Sequence, residues 1–173
     1  MAITYQLNPP VGERLRQEIC SLWADVTNAG GAVGFVPPVT AETVRPALLR
    51  QLAAMTTGDS QLLVGTEEDG SVVATAFLVP NSSPLMRHWW SVYTVMVHPS
   101  QQGQGTGRQL MAAVAAEARH QGLRAVRLTC RGGLGLEDFY AACGYKEVGR
   151  VPGAIKVAED DYRDDITMWL PLH

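Results

Sequence analysis

The segment HPSQQGQGTG, residues 98–107, holds three glycines and three glutamines between two stretches of different character. Before it, HWWSVYTVMV is rich in aromatic and β-branched residues and predicts a strand. After it, RQLMAAVAAEARHQG predicts a helix that stops at Gly122, and RAVRLTC predicts another strand. Two strands joined through a helix in this way form a parallel, right-handed crossover, so this segment constrains the centre of the fold.

The hydrophobic pattern predicts further elements on both sides of this unit. Residues 13–28 place apolar side chains on one helical face, and Thr40 is the cap of a second helix. Two strands, QLLVGT and SVVATAFLV, flank the turn EEDG, and a short helix in GLEDFYAACG precedes final strands in YKEVGRV and DDITMWLPL. We therefore expect one domain, residues 1–173, of the α/β (α+β) class, with a mixed, mostly antiparallel sheet flanked by helices.

Composition excludes several classes of function. The net charge of −3 gives no basic face for nucleic acid or a membrane surface, and no apolar run is long enough to span a bilayer. Three widely spaced cysteines and four scattered histidines show no metal-ligand spacing, so we expect no metal. Because the first residues also lack a signal-peptide pattern, we expect a cytoplasmic protein with reduced thiols.

The glycines at 103, 105 and 107 precede a helix, where free backbone N–H groups and the helix dipole favour an anion. Glycines let a phosphate approach those amides, although a plain tight turn is the alternative. A Walker loop requires Gly-Lys-Ser/Thr, which is absent. A dinucleotide fingerprint requires G-x-G-x-x-G and an acid after the next strand, whereas this chain has G-x-G-x-G followed by LTCRGG.

QQGQGTG resembles the acyl-coenzyme A loop of the GNAT superfamily of N-acetyltransferases, whose signature is Gln/Arg-x-x-Gly-x-Gly/Ala. Gln102, Gly105 and Gly107 match that signature. The segment LEDFYAACGYKEVGR resembles the second landmark of the family, a short helix with a tyrosine followed by Gly-Phe/Tyr and a strand. The order of elements matches along the whole chain, which implies a GNAT-type sheet with a parallel β–α–β crossover.

The resemblance implies acetyl transfer from acetyl-coenzyme A (acetyl-CoA) to an amine. The implied cofactor-binding residues lie on the central strand and in the glycine loop: Val95, Met96, Val97, Gln102, Gly103, Gln104, Gly105, Thr106, Gly107 and Arg108. A main-chain N–H of the strand would polarise the thioester carbonyl. Arg131 is a further candidate for a phosphate contact. Relatives often carry an asparagine near Gly133, so a contact to the cofactor arm is either made by the backbone or missing here.

Two residues are candidates for proton transfer. The resemblance places Tyr140 near the sulfur as a general acid, and the alternative is an aromatic that only packs. His88 is a tentative base, because the central strand offers no carboxylate and histidine titrates near neutral pH. Beside two tryptophans, His88 could equally be structural.

The family places acceptor specificity in two loops. The first is AGGAVGFVPP, and the second is PGAIKVAEDDYRDD, whose acids Glu159, Asp160, Asp161, Asp164 and Asp165 could attract a cationic amine. If that loop is only solvated, the acceptor would be neutral or anionic, such as an amino acid, held by the apolar loop around Phe35. We expect a small-molecule amine as partner, and a homodimer is compatible with the sequence.

Two other classes of function stay open. One is a non-catalytic module that binds or senses acyl-CoA, which the missing carboxylate and asparagine favour and the retained Tyr140 opposes. The other is a nucleotide-binding module, which the glycine spacing opposes.

Overall fold

The computed structural model describes residues 2–173, which form four α-helices and a single seven-stranded sheet. The helices are α1 (Glu13–Asn28), α2 (Ala41–Thr56), α3 (Thr106–His120) and α4 (Leu136–Ala142). The strands are β1 (Thr4–Leu7), β2 (Gln61–Thr66), β3 (Val72–Pro80), β4 (Trp89–Val97), β5 (Ala125–Arg131), β6 (Lys146–Ala158) and β7 (Asp161–Pro171). Their order in the sheet is β1-β2-β3-β4-β5-β7-β6.

Only the β4–β5 pair is parallel among the strand pairs of the described chain, and α3 connects the two strands. The predicted fold class and the predicted crossover are therefore confirmed. Local signals place the helices as expected. The Thr40 side chain accepts a hydrogen bond from Thr43 N at the start of α2, and Gly122, with φ +75°, follows α3.

The sheet separates two apolar cores. Helices α1 and α2 pack on one face around Ile19, Leu48, Phe77 and Met96, all fully buried. Helix α3 packs on the other face, where Leu110 and Val114 are fully buried and Tyr140 of α4 joins the same cluster. Burying one stripe of each helix against a sheet face is what orients the loops at the ends of β4 and β5.

Two features at the ends of the chain differ from the sequence prediction. The short strand β1, which pairs with β2, was not predicted. Strands β6 and β7 are longer than expected, because two of the three register shifts in the β6–β7 ladder accommodate Gly149, Pro152 and Gly153 without ending the strand. The segment expected to be an acidic loop is therefore mostly hairpin, with only Glu159 and Asp160 at its turn.

The centre of the sheet is split at one end. Strands β4 and β5 pair only through Trp89–Ser91 and Ala125–Arg127, and beyond these residues they diverge. A bulge in β4 opposite Ala76 coincides with Thr94, which has a φ of +53°, unusual for a residue with a side chain. At the paired end, Trp89 and Trp169 pack edge to face with ring centroids 5.4 Å apart. The result is a wedge-shaped opening between β4 and β5.

Candidate active site

The glycine loop leads directly into α3. Gly103 and Gly105 have φ values of +73° and +87°, a left-handed conformation that glycine adopts without strain, and Gly105 is the cap residue of the helix. A Cβ atom on either glycine would meet no heavy atom within 4 Å, so the outer side of the loop is open. The loop therefore offers accessible backbone in front of a helix dipole.

The amides of this loop lack main-chain partners. Among the described residues, no backbone hydrogen bond is donated from Gly103 to Arg108, and the next one runs from Gln109 N to Gly105 O. The first turn of α3 also contains no acidic residue, whereas Glu13, Glu42 and Glu137 occupy the first turns of α1, α2 and α4. The positive end of α3 is thus uncompensated, which suits an anionic ligand.

Glutamine side chains hold the loop in shape. Gln102 Nε2 donates to Val97 O at 3.0 Å, and Gln104 Nε2 donates to Ser100 O at 2.7 Å. Their amide groups are therefore engaged by the protein's own backbone. Gln102 still lines the cavity described next, whereas Gln104 and Thr106 do not.

A cavity of about 600 Å³ extends from the glycine loop to the opening between β4 and β5. We call it the cofactor cavity. Its walls are the segment 29–33 after α1, Val95 and Val97 of β4, Arg108 at the start of α3, and Leu136, Phe139 and Tyr140 of α4. Met96 faces the opposite core and is fully buried, so the predicted strand residues contribute Val95 and Val97 to this wall but not Met96.

A second cavity of about 440 Å³ lies on the other side of the opening. We call it the acceptor cavity. It is lined by apolar groups of Trp23, Phe35 and Leu128 together with polar groups of Gln51 and Thr129. Five residues line both cavities, and they are Ala32, Val33, Val95, Leu136 and Tyr140. The two cavities therefore meet beside β4 and Tyr140.

Tyr140 lies at this meeting point and is 7% exposed. Its ring packs edge to face against Phe139 and Tyr145, with centroid separations of 5.1 and 5.7 Å. Burial raises the pKa of Tyr140 well above the usual value for tyrosine. The hydroxyl is consequently neutral at physiological pH and can act as a hydrogen-bond donor.

Other predicted residues lie elsewhere. His88 is exposed and lies immediately before β4. About 20 Å of extended chain separates it from Val95. It lines neither cavity, so the structure does not bring it to Tyr140. Arg131 is half-buried beside the acceptor cavity, where its Nη2 donates to Phe35 O at 3.4 Å, rather than beside the glycine loop.

Two of the five acids are already neutralised in the β6–β7 hairpin. Asp161 pairs with Arg163 through Nη2 at 2.8 Å, and this hydrogen bond lowers the pKa of Asp161. Asp164 accepts hydrogen bonds from Gly153 N and from Arg150 Nη1, each at 3.1 Å. Both bonds lower the pKa of Asp164, and the bond from Gly153 has the larger effect. Asp161 and Asp164 are therefore not part of a free negative surface.

Gly133, at the position where relatives carry asparagine, has φ +87° and lies against Arg163. A Cβ there would clash with the Arg163 guanidinium. The guanidinium is the far end of a flexible side chain and could move, so it is the left-handed φ that favours glycine here. With glycine at this position, any contact to a cofactor would come from the backbone.

Several lining residues were missed by sequence reasoning. Arg50 and Gln51 of α2 and Cys130 of β5 line the acceptor cavity. Their sequence context shows only a helix and a strand, and they come together only because α2 borders the same cavity as β5 in the folded chain. Burial raises the pKa of the Cys130 thiol to about 11, so it remains protonated and a poor nucleophile.

Two other kinds of feature are absent from residues 2–173. No group of three or more His, Cys, Asp or Glu side chains there could hold a metal ion. No helix in that range is long and apolar enough to cross a membrane.

The acetyltransferase (GNAT) family profile matches residues 18–145. A protein provisionally identified as a phosphinothricin N-acetyltransferase superposes with a TM-score of 0.79 at 18% identity, covering 99% of both chains. Salmonella typhimurium yncA, provisionally an acetyltransferase and solved with its cofactor acetyl-CoA, superposes with a TM-score of 0.76 at 21% identity. The superposition covers 100% of this chain and 95% of the other. The ribosomal-protein-alanine N-acetyltransferase from Brucella melitensis superposes with a TM-score of 0.76 at 19% identity, covering 99% of this chain and 100% of the other.

Proposed function

Because this chain belongs to the acetyltransferase (GNAT) family, we propose that it transfers the acetyl group of acetyl-CoA to a primary amine of a small molecule or protein. The observation that carries the proposal is the meeting of two cavities beside Val95 and Tyr140. A transfer enzyme must hold donor and acceptor on opposite sides of the reacting atoms, and this arrangement provides such a geometry.

The chain's own groups fit the donor. The unpartnered amides from Gly103 to Arg108, the positive end of α3 and the Arg108 guanidinium suit the diphosphate. The open space over Gly103 and Gly105 leaves room for it. The apolar walls formed by Val97, Leu136 and Phe139 suit the less polar arm. When bound, acetyl-CoA supplies the acetyl group as an activated thioester.

Backbone and side-chain donors would assist the transfer. Beyond Ser91, β4 has no partner on its β5 side, so main-chain N–H groups near Val95 are free to polarise a carbonyl oxygen. The Tyr140 hydroxyl would donate a hydrogen bond to the departing sulfur. Because burial raises the pKa of Tyr140 above that of an ordinary thiol, about 8.5, it would stabilise the thiolate without giving up its proton completely.

The acceptor amine must be neutral when it attacks. Among the described residues that line the acceptor cavity there is no carboxylate and no histidine. We therefore propose that the amine loses its first proton to water before or during binding and that no side chain acts as general base. As the C–N bond forms and the C–S bond breaks, the second amine proton would pass to the departing sulfur or to water. His88 has no part in this proposal, because it lies far from the cavity.

The test is release of free coenzyme A thiol from acetyl-CoA, measured with a panel of amines that includes amino acids, polyamines, aminoglycosides and peptide N-termini. We expect release that depends on one class of amine, with the acetylated product identified by mass spectrometry. Binding of acetyl-CoA without product from any amine would contradict the proposal.

The absence of a base from the acceptor cavity also supports a second candidate, a module that binds acyl-CoA without catalysis. In that case calorimetry would give the same affinity for acetyl-CoA with and without Tyr140→Phe, and turnover would be absent from both proteins.

A further inference from the structure

The acceptor cavity is unusual in the charge of the residues that line it. Of the described residues that line it, Arg50 is the only one with a formal charge. The ion pairs found in residues 2–173 involve His98 or other arginines, and Arg50 takes part in none of them. The acceptor cavity is thus lined by an exposed arginine that has no carboxylate partner.

A second guanidinium lies at the edge of the same cavity. Arg131 reaches the carbonyl of Phe35, a lining residue, and is also absent from the ion pairs. Asp165 stands opposite Arg131 in the β5–β7 register, but no oxygen of Asp165 lies within 4.0 Å of the guanidinium. Burial and the nearby Arg163 lower the pKa of Arg131, which reflects the cost of holding this cation without an anion.

The nearby acids do not reverse this charge. Asp161 and Asp164 are occupied by Arg163 and Arg150, as described above. Glu159 and Asp160 are exposed at the hairpin turn and Asp165 lies opposite Arg131 on β7, and none of these three acids lines the acceptor cavity. A cationic acceptor would therefore meet Arg50 without a compensating carboxylate, and the repulsion would oppose its binding.

We infer that the acceptor carries a carboxylate beside its amine, as an α-amino acid does, and that Arg50 binds this carboxylate in the acceptor cavity. Arg131 adds a second positive charge at the rim. The planar guanidinium matches a carboxylate through two parallel hydrogen bonds, which fixes orientation as well as adding affinity. The apolar groups of Trp23 and Phe35 would then contact an uncharged side chain of the amino acid.

This inference rests on the proposed function, because it assigns the acceptor of the same reaction. The inference adds the requirement that the protein binds the carboxylate of the acceptor through its charge, independently of how it binds the amine. An amino acid and its amide differ in that charge while keeping the same amine and side chain, so the pair isolates the carboxylate. The twenty common amino acids and their amides are the probes.

The experiment compares kcat/KM for the best amino acid and for its amide, with Arg50→Gln, Arg50→Lys and the unchanged protein. We expect Arg50→Gln to lower kcat/KM for the amino acid about 10- to 100-fold through KM, the effect of losing a charge-assisted hydrogen bond. The amide should be a poor substrate whose constants hardly change. Arg50→Lys should restore part of the loss, because it keeps the charge but not the planar fork.

Arg45→Gln is the matched control. Arg45 lies on the same helix, pairs with Glu13 at 3.1 Å and does not line the acceptor cavity, so its loss should leave both substrates unaffected. Equal use of amino acid and amide, or equal constants for Arg50→Gln and the unchanged protein, would overturn the inference while the proposed function stands.

A binding measurement distinguishes a failure of the proposed function from a failure of the inference about Arg50. If no amine is acetylated, the proposed function fails, and calorimetric titration of the amino acids into the protein with coenzyme A decides the inference alone. Binding that is lost in Arg50→Gln supports it, and binding that is absent from or equal in both proteins overturns it.

Discussion

Gly107 of α3 lies directly against Phe139 of α4, and a Cβ atom at position 107 would come within 3.1 Å of Phe139 Cζ. Gly105, only two residues earlier, faces open space but has φ +87°. The two glycines of the loop are therefore needed for different physical reasons. Gly107 allows α3 and α4 to approach each other, whereas Gly105 allows the backbone to turn into the helix.

That difference predicts distinct effects of two alanine substitutions. Gly105→Ala should cost about 1–2 kcal/mol of folding free energy, because a side chain is strained at this φ, and it should weaken acetyl-CoA binding. Gly107→Ala should displace Phe139, and Phe139→Leu should relieve part of that cost, giving a non-zero coupling energy in a double-mutant cycle. Thermal denaturation and calorimetry measure both quantities. Unchanged acetyl-CoA affinity in a folded Gly105→Ala protein would contradict the role given to this loop.

Tyr140→Phe should keep its fold and its affinity for acetyl-CoA but lose about 10- to 1000-fold in kcat, because the donor to the sulfur is removed. Steady-state kinetics and calorimetry test the two parts separately. The matched control is Tyr145→Phe. The Tyr145 hydroxyl is buried without a hydrogen-bond partner, so its removal should leave kcat unchanged and should not destabilise the protein. Equal kcat for all three proteins would make Tyr140 a packing residue.

The pH profile of kcat/KM should follow the acceptor and not the protein. Because no lining residue of the acceptor cavity is a carboxylate or histidine, kcat/KM should rise with pH until the free amine is deprotonated. No falling limb should appear below about pH 10, since the raised pKa keeps Tyr140 protonated. Changing the amine to one with a lower pKa should move the profile by the same amount. A fixed midpoint for all amines would indicate a base in the protein.

Alkaline stability should depend on the two buried tyrosines. Burial raises the pKa of both Tyr140 and Tyr145 in the folded state, so their contribution to stability is complete below the unfolded pKa of about 10. It should be lost as the pH rises above that value. Chemical denaturation followed at several alkaline pH values measures the slope, and Tyr145→Phe should make it shallower. An unchanged slope would contradict the burial argument.

Neutralising Asp160, Asp161 and Asp164 together to Asn should not raise KM for a polyamine at low salt. The sequence alone left two alternatives open, electrostatic steering of a cation by an acidic loop and a loop that is only solvated. In the structure Asp161 and Asp164 are occupied by Arg163 and Arg150. KM measured for a polyamine at low and high salt decides between the two, and a salt-dependent increase in the triple variant would restore the steering hypothesis.

Local signals explain why the centre of the fold could be predicted. The strand of aromatic and β-branched residues, the glycines and the alanine-rich helix each favour one structure, and they agree with one another. The glycine loop was identified from the residues alone, as glycines in front of a helix, whereas Tyr140 was identified through the family resemblance.

The differences between the sequence-based predictions and the structure have physical causes. Strand β1 consists of four residues, TYQL, and becomes a strand through pairing with β2, which sequence patterns do not report. Gly149, Pro152 and Gly153 favour turns, yet the register shifts absorb them within β6. Arg50 was missed because its significance arises from the absence of any partner in the folded cavity, a property of the three-dimensional arrangement alone.

The limited pairing of β4 with β5 has a mechanical consequence. The sheet consists of a four-stranded part and a three-stranded part whose strands pair only at Trp89–Ser91, where Trp89 also packs against Trp169. A ligand that fills the gap would contact both parts where their strands do not pair, and by reciprocity a substitution that loosens the paired end should weaken ligand binding. Trp169, which lines neither cavity, therefore belongs to the energetics of binding through the stiffness of the sheet.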